Sequence, residues 1–169
     1  MAALRRVNYT FGQVLSVDDF QAEQTYHRDK LRRHNRLLHG SGIGGGLTVS
    51  LGGGSSRPAV VVKPGFGIDP AGNELELEAA VSVAITLTAR ALVVMLRDTE
   101  QLVDPVPVPG IAGDADGMAH SRIEERAEVT VLPDDPPNVA AEIGLVLARF
   151  VRARAGWQRD RKFRVRRLR

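Results

Sequence analysis

The sequence predicts an α+β fold in which one long N-terminal helix packs on a mostly antiparallel β-sandwich or barrel. Three observations carry this. Ser16 to Leu38 holds the start, periodicity and stop signals of a single helix. From Leu47 onward, apolar residues recur with a period of two in short β-branched runs separated by Gly, Pro, Asn and Asp. The 169 residues are enough for one core and short for two, so residues 1–169 read as one domain. Within it, 1–40 form an N-terminal segment and helix, and 41–169 a β-rich body ending in a basic strand or tail. Aromatic residues make up 5% of the chain, so the core has to be built mainly from Val, Leu, Ile and Ala.

The helix is specified at both ends. Ser16 is a good N-cap, and Asp18 and Asp19 sit in the first turn, where they complement the helix dipole. Lys30, Arg32, Arg33 and Arg36 crowd the second half, and Gly40 closes it. At about 1.5 Å per residue the stretch spans about 35 Å, long for a domain of this size. Phe20, His27, Leu31, His34 and Leu38 recur at helical spacing and form a narrow, partly polar inner stripe with Tyr26 and Leu37 beside it. Phe11, Phe20, Tyr26 and Leu31 are predicted to anchor the helix to the sheet.

The segment HGSGIGGGLTV, residues 39–49, contains Gly40-x-Gly42-x-x-Gly45, the spacing of a phosphate-cradling loop. Such a loop needs a strand before the glycines and a helix after them. Here the order is reversed, and a helix C-terminus presents carbonyls, which repel phosphate. The glycines therefore read as a positive-φ cap at Gly40 followed by a tight backbone crossing.

Strands are predicted at Leu47 to Leu51, Ala59 to Lys63, Gly67 to Asp69, Glu74 to Glu78 and Val81 to Leu87. Gly52 to Ser56 and Asp69 to Asn73 supply the turns. Leu75 and Leu77 alternate with Glu74, Glu76 and Glu78, so one face is buried and the other wet. Ala91 to Arg97 is nearly all apolar and should be a central strand. Asp104 to Gly117, with its "DPVPVPG", reads as a polyproline-like surface loop suited to docking a partner. Ile123 to Leu132 and Ile143 to Arg154 follow as strands, and "KFRVRRLR" reads as an edge strand with its charges outward.

Composition and spacing exclude several chemistries. There is no cysteine, hence no disulfide framework, thiolate zinc site or cysteine nucleophile, and a cytoplasmic protein is expected. No secretory signal follows Arg5 and Arg6, and Ala79 to Leu96 is too polar to be a membrane span. His27 and His34 lie about 10.5 Å apart along a helix, too far to share one metal ion. They read as half-buried residues hydrogen-bonded to backbone or to acids. The serines lack a strand–elbow–helix context, and the carboxylate pairs Asp18/Asp19 and Glu124/Glu125 point apart. No catalytic set, cofactor or metal is predicted.

Charge is lopsided. From Arg149 to Arg169 there are ten Lys or Arg against the single acid Asp160, so a net +3 chain has an acidic body and a basic tail. Nine of the ten are Arg, whose planar guanidinium pairs bidentately with carboxylate as well as with phosphate. Arg152, Arg154, Arg159, Arg161, Arg164, Arg166 and Arg167 are the predicted partner surface. The partner is expected to be anionic, a lipid, a nucleic acid or, first of these, an acidic protein surface. Nucleic acid is the alternative, with Trp157 and Phe163 as stacking candidates among the cations.

Residues 9–49 carry Phe11-Gly12-Gln13-Val14-Leu15, Asp19-Phe20, Glu23-Gln24-Thr25-Tyr26-His27 and Asn35-Arg36-Leu37-Leu38-His39-Gly40. This opening resembles that of a family of small proteins encoded beside bacterial phage-tail-like contractile injection systems. The later "VKPGFGIDPAGNELEL", "DPVPVPG" and "HSRIEERAEVTVL" are similar to it as well, so the likeness covers most of the chain. It departs at Gly44-Gly45-Gly46, where bulkier residues are expected. The resemblance implies a non-enzymatic structural component of a contractile tail or injection particle, placed at the baseplate or where fibres, spikes or an anchor attach.

Overall fold

The computed structural model of the chain describes residues 4–54, 56–86, 88–107, 118–134 and 144–168. Helix α1 (Val17–His34) continues into a π-helical turn, Asn35–His39. Among the described residues ten strands follow: β1 (Gly42–Gly46), β2 (Val49–Gly54), β3 (Arg57–Val62), β4 (Gly65–Ile68), β5 (Glu74–Leu77), β6 (Val81–Ala84), β7 (Ala91–Pro107), β8 (Met118–Pro133), β9 (Leu145–Ala153) and β10 (Gly156–Arg159). They pair antiparallel in three sheets ordered β1-β4-β5, β2-β3-β6 and β10-β9-β7-β8. The fold is α+β, as the sequence predicts.

The inner faces of all three sheets meet in one aliphatic core that includes Ile43, Leu47, Val60, Val62, Leu75, Leu92, Val94, Leu96, Leu147 and Phe150. Strand β7 is central, between β9 and β8, and Leu92 to Leu96 are almost fully buried. Strand β5 alternates as its sequence does, with Leu75 and Leu77 inside and Glu74 and Glu76 outside. A capping box starts α1: the Asp19 N–H donates to Ser16 Oγ at 3.3 Å, and the Ser16 N–H donates to Asp19 Oδ2 at 2.8 Å. The Ser16 N–H bond, and then the Ser16 hydroxyl, which donates to the same Oδ2 at 2.9 Å, favour the charged form and hold the Asp19 carboxyl below its usual value.

The glycine segment is a strand rather than a loop. Gly42–Gly46 pairs with β4, with an irregularity between Ile43 and Gly45, and a side chain at Gly44 or Gly45 would run into the Phe66 ring on that strand. Gly40 has φ +69°, as a helix stop requires, and a Cβ there would land on the Arg166 guanidinium. A cation, rather than an anion, therefore sits over this helix C-terminus, as the dipole demands.

Two other expectations change. Asp104 to Pro107 belong to β7, which pairs with β8 from Leu92↔Pro133 out to Pro107↔Met118; residues 108–117 of the expected loop lie outside the described residues. Among the described residues β9 flanks β7 only as far as Leu96, beyond which β7 and β8 run on as a long ribbon; an edge of this kind tolerates Pro105 and Pro107, which lack an N–H. The expected edge strand in "KFRVRRLR" shrinks to one parallel bridge, Ile43↔Arg167, with Ile43 N–H to Arg166 O and Leu168 N–H to Ile43 O both at 2.9 Å.

The helix anchors are corrected as well. No residue of α1 is buried. Phe20 is 52% exposed and Leu31 49%, Phe11 is fully exposed, and Tyr26 is only half-buried. Polar groups dock the C-terminal half of the helix on the sheets instead. Asn35, 3% exposed, donates through Nδ2 to Gly72 O at 3.0 Å and to Glu74 Oε1 at 3.2 Å. Arg36 Nη1 donates to Ala71 O at 2.8 Å, Arg32 Nε donates to Asn73 Oδ1, and Arg28 pairs with Glu100 at 2.7 Å. The turn before β5 comes so close that a Cβ on Gly72 would strike Arg32 O. His27 and His34 are exposed rather than half-buried.

Candidate partner-docking surface

The seven arginines chosen from sequence fall into three groups. Arg159, Arg161, Arg164 and Arg167 converge on a cavity of about 490 Å³. Its floor is Ile43 from β1, Leu47 from the β1–β2 connection and Leu147 from β9, all buried, with Phe163 and Val165 on the wall. Arg152 and Arg154 lie at the far end of the β9–β10 hairpin, where the Arg152 guanidinium sits 5.8 Å from the centre of the Trp157 ring. Arg166 turns the other way and covers Gly40. Backbone alternation explains the split between Arg166 and its neighbour Arg167.

The cavity wall is held in place by polar contacts. Arg159 Nη1 donates to Val49 O at 2.9 Å, and Arg164 Nη1 donates to Arg161 O. Arg149, a tail cation outside the predicted surface, is held between Asp134 and Asp160; it donates to Asp134 through Nε and to Asp160 Oδ2 through Nη1 at 2.7 Å. The Arg149 hydrogen bond, then that of the Lys162 N–H, keeps the Asp160 carboxyl below its ordinary range; Asp134 and Asp160 in turn push the guanidinium up. The one acid of the basic tail is thus committed to Arg149. Among the described residues, none of the seven predicted arginines is ion-paired with a carboxylate.

Trp157, proposed from sequence as a stacking platform, is half-buried against the core, whereas Phe163 lines the cavity. The cavity floor was not legible because its residues come from three separated parts of the chain and read as ordinary core. A second concavity of about 780 Å³ lies on the opposite side of the charge balance, lined by Asn35, His39, Phe66, Glu74, Glu76 and Glu125 among others. Close to it, burial raises the Asp98 carboxyl, Arg32 opposes the shift and Glu125 adds to it. Among the described residues, no three His, Asp or Glu side chains are grouped to hold a metal ion, and no helix is long and apolar enough to cross a membrane.

A third feature is exposed apolar surface. Arg32 approaches Asp98 at 3.8 Å, and Arg28, one turn earlier, reaches Glu100, so α1 runs beside the outgoing strand β7. Val14, Val17, Phe20 and Leu31 on or before the helix and Leu102 and Ile123 on the ribbon are all exposed.

The chain matches a chain of the TssK-TssF-TssG baseplate subcomplex of a type VI secretion system, with TM-score 0.53 and 15% identity over 97% of its length and 62% of that chain. It also matches the crystal structure of TssK, with TM-score 0.53 and 16% identity over 94% of its length and 41% of that chain. A third match is to a type VI secretion baseplate complex, with TM-score 0.52 and 14% identity over 97% of its length and 60% of that chain. The chain therefore spans about two-fifths to three-fifths of the proteins it matches, and at these identities the shared property is the fold. No known protein family and no curated protein sequence matches the chain.

Proposed function

We propose that this chain is a structural, non-enzymatic component of a phage-tail-like contractile injection particle, docking to neighbouring subunits at the baseplate or at a fibre or anchor attachment point. The observation that carries the proposal is the uncovered apolar surface of α1 and the ribbon. Fully burying a side chain such as Phe20, Leu31 or Ile123 gains about 1.5–3 kcal/mol, and the fold, which leaves each of them about half exposed, takes only part of this. A surface of this kind is expected where another chain will cover it. The likeness to baseplate subunits supports the same reading. The arginines Arg152, Arg154, Arg159, Arg161, Arg164, Arg166 and Arg167 supply a second contact, to an acidic surface of a neighbour.

The test is incorporation into the particle. Reversing Arg161, Arg164 and Arg167 to Glu should abolish co-purification with sheath, tube or baseplate proteins from the native host while leaving the isolated fold intact. Wild-type incorporation of the triple variant would refute the arginine contact. A salt-sensitive gel shift with mixed DNA, without particle proteins in the purified complex, would favour a nucleic-acid-associated accessory role instead.

A further inference from the structure

We propose that the arginine-walled cavity over Ile43, Leu47 and Leu147 is the seat of one acidic segment of a neighbouring subunit, a segment that places a large apolar side chain among its carboxylates. This deepens the assembly reading and rests on it. Both halves of the ligand are written in the cavity. Its walls carry Arg159, Arg161, Arg164 and Arg167 without a carboxylate partner among the described residues. Asp160, which also lines it, is already bound by Arg149 and by the Lys162 N–H at 2.9 Å, so it does not neutralise them. Anchoring Arg159 on Val49 O and Arg164 on Arg161 O fixes two guanidinium groups in advance, which lowers the ordering cost of binding. Planar guanidinium groups match carboxylates in bidentate geometry.

The apolar floor decides between ligand classes. A phosphate backbone gains nothing from Phe163 and Val165, which stand half-buried above that floor, whereas a Leu, Met or Phe flanked by Asp and Glu gains burial and ion pairing together. A cavity of about 490 Å³ suits a few side chains rather than a duplex. Trp157, the strongest stacking residue in the tail, is outside the cavity and covered by Arg152. The wall is part of the fold, tied by the Ile43–Arg166 and Leu168–Ile43 hydrogen bonds and by Asp160 N–H to Arg149 O at 2.9 Å.

The experiment is fluorescence anisotropy of the full chain with three labelled probes: a short Asp/Glu peptide with one central Leu, the same peptide with Ser for Leu, and a single-stranded oligothymidylate. The Leu peptide should bind, and its Ser version about tenfold more weakly. R161E/R164E should lose at least tenfold toward the Leu peptide, with thermal unfolding unchanged, while R57E/R122E, elsewhere on the surface, should not. Because the Leu-to-Ser change is made in the probe, the apolar half is tested without disturbing the core. Equal binding of the two peptides, tighter binding of the oligonucleotide, or no binding of the Leu peptide would overturn the inference. If the Leu peptide fails to bind but the triple arginine variant still loses incorporation, this inference falls and the assembly reading stands. If the peptide binds as expected but the variant incorporates normally, the cavity chemistry stands and the arginine contact within the assembly falls.

Discussion

Replacing Asn35 with Ala should loosen helix α1 from the body without unfolding the sheets. Asn35 is the one buried residue of the continuous helical segment, and its amide supplies the bonds to Gly72 O and Glu74 Oε1 where the π-helical turn meets the turn before β5. Removing one partner of a buried hydrogen-bonded pair costs about 1–3 kcal/mol. The remaining contacts, Arg28–Glu100 and Arg32–Asp98 among them, are surface pairs worth about 0–1 kcal/mol each. Detachment of the helix should therefore become about 5- to 150-fold more populated. Detached, the helix loses the tertiary contacts that supply most of a helix's stability in a protein, so its amides will exchange. Hydrogen–deuterium exchange read by mass spectrometry should show faster exchange over Val17–His34 in N35A, with Leu92–Leu96 unchanged. Phe20→Ala and Leu31→Ala, at exposed positions, should change α1 exchange by less than the equivalent of about 0.5 kcal/mol. The reasoning is refuted if N35A leaves α1 protected, if the sheets lose protection equally, or if the Phe20 and Leu31 variants match N35A.

The remaining predictions concern the body. Gly46→Ala puts a Cβ at φ +60° onto the Pro64 carbonyl and should cost about 2–3 kcal/mol, lowering Tm by roughly 4–12 °C in calorimetry; Gly54→Ala, which meets open space, should leave Tm nearly unchanged. Arg149→Met removes the cation between Asp134 and Asp160 and should lower Tm at neutral pH. The Asp160 carboxyl is depressed in the folded state, so its contribution is present above the ordinary carboxylate range of about pH 4 and is lost as pH falls through the folded value. The Tm gap between wild type and R149M should therefore narrow on acidification, and a gap that widens would contradict the sign.

Local signals made much of the fold readable. Ser16 and Asp19 announce the start of the helix and Gly40 its end, the Leu75/Leu77 alternation fixes the inner face of β5, and the apolar run from Ala91 marks the central strand. What failed depends on partners distant in sequence. Apart from Ile43, Gly42–Gly46 carry no strand propensity, and they pair as a strand with β4, whose Phe66 ring lies where Gly44 and Gly45 leave no room for a Cβ. The prolines after Asp104 suggest a loop; they remain in a strand that pairs with β8, while among the described residues β9 accompanies β7 only as far as Leu96. Arginine spacing in the tail could not separate Arg159, Arg161, Arg164 and Arg167 from Arg152, Arg154 and Arg166, since the division comes from where Ile43 meets Arg167.

The apolar stripe on α1 was legible, yet the inference from stripe to anchor was not sound, and the reason bears on function. A helix that docks through its apolar face spends that face on its own core. Here Asn35, Arg32 and Arg36 take over the docking, and the cost of holding a buried amide is met by satisfying it on Gly72 and Glu74. Phe20 and Leu31 then remain at the surface, beside a ribbon that keeps Leu102 and Ile123 exposed as well. Polar attachment is also directional, so it sets the angle of α1 against β7 through specific pairs rather than through interchangeable packing. A partner that covers the stripe would meet a helix already oriented, and the ordering cost of association would fall accordingly.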